Sequence, residues 1–220
     1  GSIQNVISLL WLVPGRLLQA PAQAQLEGDQ WVIGSWGGGE PNYSVMFCDF
    51  RSGYFNLSWE PDIRIQMAET NASICDQAGE PLIWTNGMQI QGHGGISIAD
   101  TIAYEPVPDH PFYEYWNYYY HDFSPLYMPG GFKKHDGALI LPVPESNKEY
   151  MVLYHLAEID PENFFAVFKH LEARIQYTGD TFKLMYKDNL VGYQHQWFSD
   201  NMEAVRHANG RDWWVVSFEK

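Results

Sequence analysis

Short runs of apolar and aromatic residues recur along the chain, and each is followed by residues that favour a tight turn. The clearest case is MEAVRHANGRDWWVVSFE at 202–219, because Asn-Gly is the strongest short-range signal for a hairpin. The same plan occurs at 43–59, 71–87 and 137–156, and a single run at 30–36 precedes them. Such runs pair as antiparallel hairpins, so the pattern predicts an all-β fold.

Composition supports this prediction. Aromatic residues make up 16% of the chain and charged residues only 18%, a balance that suits pleated strands and argues against disorder. The segment FFAVFKHLEARIQY at 164–177 is ambiguous. Its first half has the spacing of a helix, while Ala173, Ile175 and Tyr177 alternate like a strand. We expect a mixed segment that is a strand in its C-terminal half.

A long stretch at about 92–134 interrupts the hairpin pattern. It contains HPFYEYWNYYYHDF at 110–123, flanked by prolines and with little periodicity, which predicts an irregular insertion. Amphipathic rings bind sugar faces or protein surfaces at low entropic cost, so this insertion is a candidate binding loop. The alternative is that the rings cover a sheet face or fill a gap between sheets. The candidate binding residues are Tyr113, Tyr115, Trp116, Tyr119 and Tyr120.

The N-terminal residues 1–25 resemble a secretory signal. An apolar run up to Leu18 precedes APAQAQ at 20–25, where the small residues suit cleavage by a signal peptidase. The alternative is a structural N-terminal segment. We therefore divide the chain into this segment and one domain at 26–220, and expect a secreted or outer-surface location.

Net charge limits the partners. The formal charge of −14 repels nucleic acid and anionic membrane surfaces, so neither is expected as a partner. No other apolar run approaches the ~20 residues that span a bilayer, so we predict no transmembrane span. Cys48 and Cys75 each end an apolar run, and could form one disulfide or stay as buried thiols.

The sequence lacks the common catalytic motifs. There is no GxSxG, P-loop or dinucleotide fingerprint, and no HExxH, so we predict neither a cofactor nor a metal site. The histidine–aspartate pairs at 121–122 and 135–136 are the first place to look for a metal. We interpret HANGRDWW as a structural turn motif, in which Asp212 accepts backbone N–H bonds and His207 ties the strand to a neighbour. The residues of this turn motif are His207, Asn209, Gly210 and Asp212.

Three blocks of the chain resemble a known family. They are ASICDQAGEPLIWTNG, HDGALILPVPESNKEYMVLYH and DNMEAVRHANGRDWWVVSFE, and they cover about half of the chain in the same order as in that family. The family is the N-terminal β-propeller-like region of bacterial secreted proteins that carry a type IX secretion C-terminal sorting domain. The resemblance implies an incomplete β-propeller of about two to three blades, whose remaining blades and sorting domain lie in a C-terminal remainder of the protein.

These observations lead to one expected function and two alternatives. We expect a non-catalytic propeller module of a secreted or surface protein that binds glycan or extracellular protein through the aromatic insertion. The first alternative is a fragment of a secreted hydrolase with its active site in the propeller funnel. The second is a structural piece of an adhesin or matrix protein.

Overall fold

The computed structural model describes residues 30–34, 45–59, 65, 67, 70–99, 137–159, 166–194 and 202–217. These residues form β-strands and one helical turn at His93–Gly95, so the predicted all-β fold is confirmed. Within the same ranges, no helix has the length and apolar character to cross a membrane. The strands are β1 (Gln30–Ile33), β2 (Met46–Asp49), β3 (Asn56–Trp59), β4 (Ala72–Cys75), β5 (Pro81–Thr85), β6 (Ile90–Gly92), β7 (Ile96–Ala99), β8 (Ala138–Pro142), β9 (Glu149–Ile159), β10 (Ala166–Tyr177), β11 (Phe182–Gln194), β12 (Met202–Arg206) and β13 (Trp213–Ser217).

The described strands form four antiparallel sheets. The first sheet has the order β1-β2-β3, the second β4-β5-β6-β7, the third β8-β9-β10-β11 and the fourth β12-β13. Strands that follow each other in the chain are therefore neighbours in space, and each sheet is a simple meander. The sequence predicts strands for about two to three blades, whereas the described residues contain two four-stranded sheets and two smaller ones.

All four predicted hairpins are present, as β2–β3, β4–β5, β8–β9 and β12–β13. Local side chains close their turns. Asp76 Oδ1 accepts the N–H groups of Ala78 and Glu80 at 2.8 and 3.0 Å. Ser146 Oγ accepts those of Lys148 and Glu149 at 3.3 and 3.1 Å. These short polar side chains take the place of a backbone acceptor. Because such residues are typical of turns, the turns could be predicted from the sequence.

Two boundaries differ from the sequence-based expectations. The segment at 164–177 contains no helical part from Ala166 onward, because β10 pairs along its length with both β9 and β11. Pairing on both sides outweighs the weak helical spacing of its first half. The insertion predicted to start at residue 92 starts later, since β7 still pairs with β6 after a turn at Gly94 and Gly95, whose φ angles are 70° and 73°.

The remaining predictions about segments fall outside the described residues. These are the signal-like segment at 1–25 and the part of the aromatic insertion at 100–134.

Among the described residues, the hydrophobic core contains three clusters, each shared by neighbouring sheets. Val32 and Phe47 of the first sheet pack with Trp84 of the second. Ile83 of the second sheet belongs to a larger cluster with side chains of β8, β9 and β10. Met202 of the fourth sheet packs with side chains of the third. The sheets therefore form a face-to-face stack in chain order.

The β8–β9 hairpin of the third sheet is buried on both faces, whereas β11 at the edge of this sheet is mostly exposed. Ile140 and Val152 belong to the cluster shared with the second sheet, while Leu141 and Leu153 belong to the cluster shared with the fourth. Because successive residues of a strand point to opposite faces, a sheet covered on both sides needs a continuous apolar run. The runs ALIL and YMVLY provide it.

The first sheet packs on the second with its first strand, β1, next to β4. The N–H of Val32 donates to Ser73 Oγ at 3.0 Å, and the Cys75 thiol donates to the carbonyl oxygen of Gln30 at 3.2 Å. Val32 of β1 therefore lies beside Ser73 of β4, and Gln30 lies beside Cys75. The two strands run in opposite directions.

The disulfide considered for Cys48 and Cys75 is not formed. Both residues are buried free thiols. The Cys75 thiol is engaged by the Gln30 carbonyl, and burial raises the pKa of the Cys48 thiol above its ordinary value. Because the thiolate is the reactive form, both effects make these cysteines inert in the folded chain.

We predict that the folded protein reacts slowly with a thiol reagent such as DTNB at pH 8, and that unfolding in urea releases both thiols at once. The measurement is the absorbance of released thionitrobenzoate with and without urea. One thiol that reacts rapidly in the native protein, or none in the unfolded protein, would contradict the structure.

At the contact between the second and third sheets, we predict that Gly92 cannot be replaced by a larger residue without loss of stability. A Cβ atom on Gly92 would overlap the Phe182 ring, so Gly92→Ala forces the ring or the strand to move. We expect a loss of about 1–3 kcal/mol in the free energy of unfolding, measured by urea denaturation.

Gly192 provides the matched control, because a Cβ there would meet His170 at an ordinary 3.7 Å. Gly192→Ala should leave stability nearly unchanged. The double variant Gly92→Ala/Phe182→Leu should recover part of the loss. Equal stability of the two single variants would show that Phe182 does not pack over Gly92.

Candidate binding surface

A group of exposed apolar side chains lies on the first sheet and its β2–β3 turn. We call it the aromatic surface. Tyr54 is 79% exposed, Phe55 60% and Trp31 55%, while Phe50 and Leu57 are exposed to a lesser degree. Single exposed apolar residues are ordinary, but a contiguous group of this kind marks a binding or packing surface.

Strand alternation explains why part of this surface points outward. Gln30 and Val32 of β1 are buried, so Trp31 between them faces the opposite side of the sheet. Trp31 lies opposite Cys48 of β2, and Cys48 lies opposite Leu57 of β3. These three side chains form one row across the outer face, with the buried thiol in its middle.

The rings of the aromatic surface are in mutual contact. The Trp31 and Phe50 rings meet edge to face, with centroids 5.1 Å apart and planes at 62°. Phe50 and Phe55 have centroids 5.7 Å apart and planes at 44°. Such tilted contacts are the favoured geometry of aromatic pairs, so the rings support one another in place.

The turn that carries the rings is held by local hydrogen bonds. The N–H of Gly53 donates to the Phe50 carbonyl at 3.1 Å, and the φ of 76° at Gly53 is one that glycine adopts without strain. The Ser52 hydroxyl donates to the Tyr54 carbonyl at 3.2 Å and accepts from Asn56 Nδ2 at 3.0 Å. The aromatic residues are therefore presented by a closed turn.

An arginine beside the rings ties the turn to its surroundings. Arg51 donates from Nε and Nη2 to the two oxygens of Asp49, at 3.0 and 2.8 Å, and from Nη1 to Glu80 in the β4–β5 turn. The hydrogen bonds from Arg51 hold the pKa of Asp49 below its ordinary value, and both carboxylates raise the pKa of the arginine. This ion pair links the first sheet to the second.

The HANGRDWW motif forms the predicted turn between β12 and β13, with different roles for its side chains. Asn209 Oδ1, not Asp212, accepts the backbone N–H groups of Arg211 and Asp212, each at 3.0 Å. Gly210 has a φ of 70°, which Asn-Gly turns require.

His207 and Asp212 act within this same hairpin. His207 Nδ1 accepts the N–H of Asn209 at 3.2 Å, and its ring lies 5.3 Å from the Trp214 ring. Within the described part of the chain, His207 therefore contacts its own hairpin and does not tie the strand to a neighbour. The Asp212 carboxylate accepts from Asn209 Nδ2 at 2.6 Å and from Arg211 Nε at 2.9 Å. These contacts describe a closed structural turn.

A second ion pair joins neighbouring turns. Arg211 Nη1 donates to Glu145 at 2.6 Å, which links the β12–β13 turn to the β8–β9 turn of the third sheet. The bonds from Arg211 and Asn209 lower the pKa of Asp212. Like Asp49, this carboxyl behaves as an ion-paired anion and not as a proton donor at neutral pH.

The binding residues predicted in the aromatic insertion, Tyr113 to Tyr120, lie outside the described residues. The histidine–aspartate pairs at 121–122 and 135–136 lie outside them as well. Across the described ranges, no three His, Cys, Asp or Glu side chains are grouped so that they could hold a metal ion.

The aromatic surface was not among the sites predicted from the sequence. Its signal is the segment DFRSGYF at 49–55, in which three aromatic residues border a predicted turn. Turns run over the surface, so aromatic residues at a turn have a greater chance of exposure than those in a strand. The contribution of Trp31 depends on the pairing of β1 with β2, which the sequence does not specify.

The fourth sheet exposes a second, smaller apolar face. Val205 of β12 and Trp214 of β13 lie opposite each other on the side away from the third sheet, and both are exposed. Between the residues that the structure describes, the ring contact on this face is that of His207 with Trp214.

Comparison with known proteins adds no further assignment. No protein-family model, no curated protein and no solved structure matches this chain.

The β12–β13 turn predicts a pH-dependent contribution to stability. The folded state lowers the pKa of Asp212, so the charged carboxylate stabilises the fold above the unfolded pKa of about 3.9, and this contribution disappears as pH falls through the folded value. We expect Asp212→Asn to lower Tm by up to about 3 °C at pH 7, because the Arg211–Asp212 pair is partly open to solvent, which weakens its interaction.

The difference in Tm between Asp212→Asn and the unmodified protein should shrink towards zero below pH 4. Thermal unfolding followed by circular dichroism at several pH values measures it. A difference that is constant with pH would mean that the Asp212 charge does not contribute.

Proposed function

We propose that this chain is a non-catalytic binding module from the β-propeller-type region of a secreted or cell-surface protein. Its ligand is a glycan, with an extracellular protein as the alternative partner. The three sequence blocks that resemble type IX secreted proteins support this assignment, together with the arrangement of the sheets and the aromatic surface.

The sheet arrangement favours propeller blades. Blades are antiparallel meanders, typically of four strands, packed face to face around an axis. The second and third sheets are such meanders, with β4 contacting β8 and β7 contacting β11, so their first strands and their last strands meet. The fourth sheet continues the series, since β12 contacts β8.

The first sheet takes a different place in this proposal. In a propeller, the first strands of successive blades run in the same direction, whereas β1 runs opposite to β4. The series of blades therefore begins at β4, and the first sheet packs against its open side. The described blades are then two complete ones and the beginning of a third.

The aromatic surface is the observation that carries the binding role. It combines rings that are exposed, in mutual contact and held by a hydrogen-bonded turn. Rigid aromatic side chains give large contact area for little lost entropy, which is why they dominate the energetics of binding sites. We assign ligand binding to this surface in addition to the aromatic insertion.

The alternative of a hydrolase fragment receives less support. A catalytic acid needs a carboxyl group whose pKa is raised, usually by burial. Asp49 and Asp212 have pKa values lowered by neighbouring arginines, which suits ion pairing between turns. The alternative of a purely structural adhesin piece predicts no ligand for the aromatic surface.

We predict that the purified protein binds ligands on a glycan array or a panel of purified extracellular proteins. The double variant Trp31→Ala/Phe55→Ala should lose at least tenfold in affinity, because truncation removes two of the exposed rings. Circular dichroism and Tm establish that the variant is folded.

The matched control is Val205→Ala/Trp214→Ala, which truncates the exposed face of the fourth sheet and should bind normally. Equal binding by the unmodified protein and the Trp31→Ala/Phe55→Ala variant would remove the aromatic surface from the proposal. No ligand in either panel would contradict the binding role.

A further inference from the structure

Charge around the aromatic surface disfavours an acidic ligand. The chain carries a net charge of −14, and Arg51 beside the rings already bonds to Asp49 and Glu80. An anionic polymer would have to compete with these carboxylates for the arginine and would be repelled by the overall field. Because the proposed ligand is a glycan, the local charges favour a neutral glycan over an acidic one.

The size of the surface suits sugar rings better than a protein. Its four aromatic side chains expose on the order of 400 Å², taking ~150–250 Å² for one fully exposed ring. One side of a standard protein–protein interface covers ~800 Å². The aromatic surface provides about half of that, which is enough to cover a few consecutive sugars.

The angles between the rings indicate which form of polysaccharide fits the surface, a single chain or the flat face of a crystal. The planes of Trp31 and Phe50 differ by 62°, and those of Phe50 and Phe55 by 44°. Rings tilted in this way cannot all lie on one flat crystalline face. A single polysaccharide chain can rotate about its glycosidic bonds, so that successive pyranose faces stack on successive tilted rings.

Resting on the binding role proposed above, we infer that the aromatic surface binds single chains of a neutral polysaccharide. The apolar C–H faces of the pyranose rings stack on Trp31, Phe50 and Phe55.

Affinity electrophoresis in native gels tests this inference. The gels contain a soluble neutral polymer (hydroxyethylcellulose, mixed-linkage β-glucan, xylan or galactomannan) or an acidic one (alginate or polygalacturonate). Sedimentation with microcrystalline cellulose tests the crystalline surface. The proteins are the unmodified chain, Trp31→Ala, Phe55→Leu and the control Trp214→Ala.

We expect at least one neutral polymer to retard the unmodified protein and the Trp214→Ala control. Retardation by acidic polymers and sedimentation with cellulose should be absent. Trp31→Ala should weaken binding on the order of tenfold. Phe55→Leu keeps an apolar side chain but removes the ring, so weaker binding by this variant identifies stacking as the interaction.

Other outcomes separate this inference from the proposed function. Retardation by an acidic polymer, or binding to cellulose, that Trp31→Ala abolishes would overturn the inference and leave a binding module. If no neutral polymer retards the protein but an extracellular protein binds it, the inference is likewise overturned and the binding module remains. If a neutral polymer retards Trp31→Ala and Phe55→Leu as strongly as the unmodified protein, the aromatic surface is not the ligand site. Both the proposed binding role of this surface and the inferred polysaccharide stacking would then be overturned.

Discussion

Burial of the β8–β9 hairpin on both faces is the constraint on which the rest of the structure depends. Ile140 and Val152 face the second sheet, while Leu141 and Leu153 face the fourth. A strand pair that is apolar on both sides is stable only between two other layers. The neighbouring sheets must therefore stack on it, and their order along the stack follows the order of the chain.

A stack of sheets has two ends, and each end exposes a face that an inner sheet would bury. At one end the fourth sheet exposes Val205 and Trp214, and at the other the first sheet exposes Trp31 and Leu57. The two ends differ in construction. The aromatic surface is extended by the rings of the β2–β3 turn, and Arg51 links that turn to the second sheet, so this end has the features of a preformed binding surface.

The hairpins could be predicted because their signals are local. Asp76, Ser146 and Asn209 close their turns with side-chain oxygens only two to four residues from their donors. The roles of the side chains in the last turn could not be predicted in the same way. Asn209 and Asp212 are both short side chains with acceptor oxygens, and only the three-dimensional structure shows which of them accepts the backbone N–H groups. The early start assigned to the insertion has a similar cause, since β7 is short and follows two glycines.

Long-range features could not be predicted from spacing. The opposite directions of β1 and β4 depend on contacts between residues more than forty positions apart, such as Val32 with Ser73. The exposure of Trp31 depends on another long-range feature, the pairing of β1 with β2 and the burial of Gln30 and Val32 on the inner side. By contrast, Phe50, Tyr54 and Phe55 border a predicted turn, and that part of the aromatic surface was accessible from the sequence.

The aromatic surface is open to solvent in the free protein. We expect a bound ligand to cover it. Hydroxyl-radical footprinting measures this directly, by the oxidation rates of Trp31, Tyr54 and Trp214. We predict rapid oxidation of all three at every protein concentration, and protection of Trp31 and Tyr54 alone when the neutral polymer is added. Slow oxidation of Trp31 in the free, dilute protein would contradict the claim, because the surface would then already be covered.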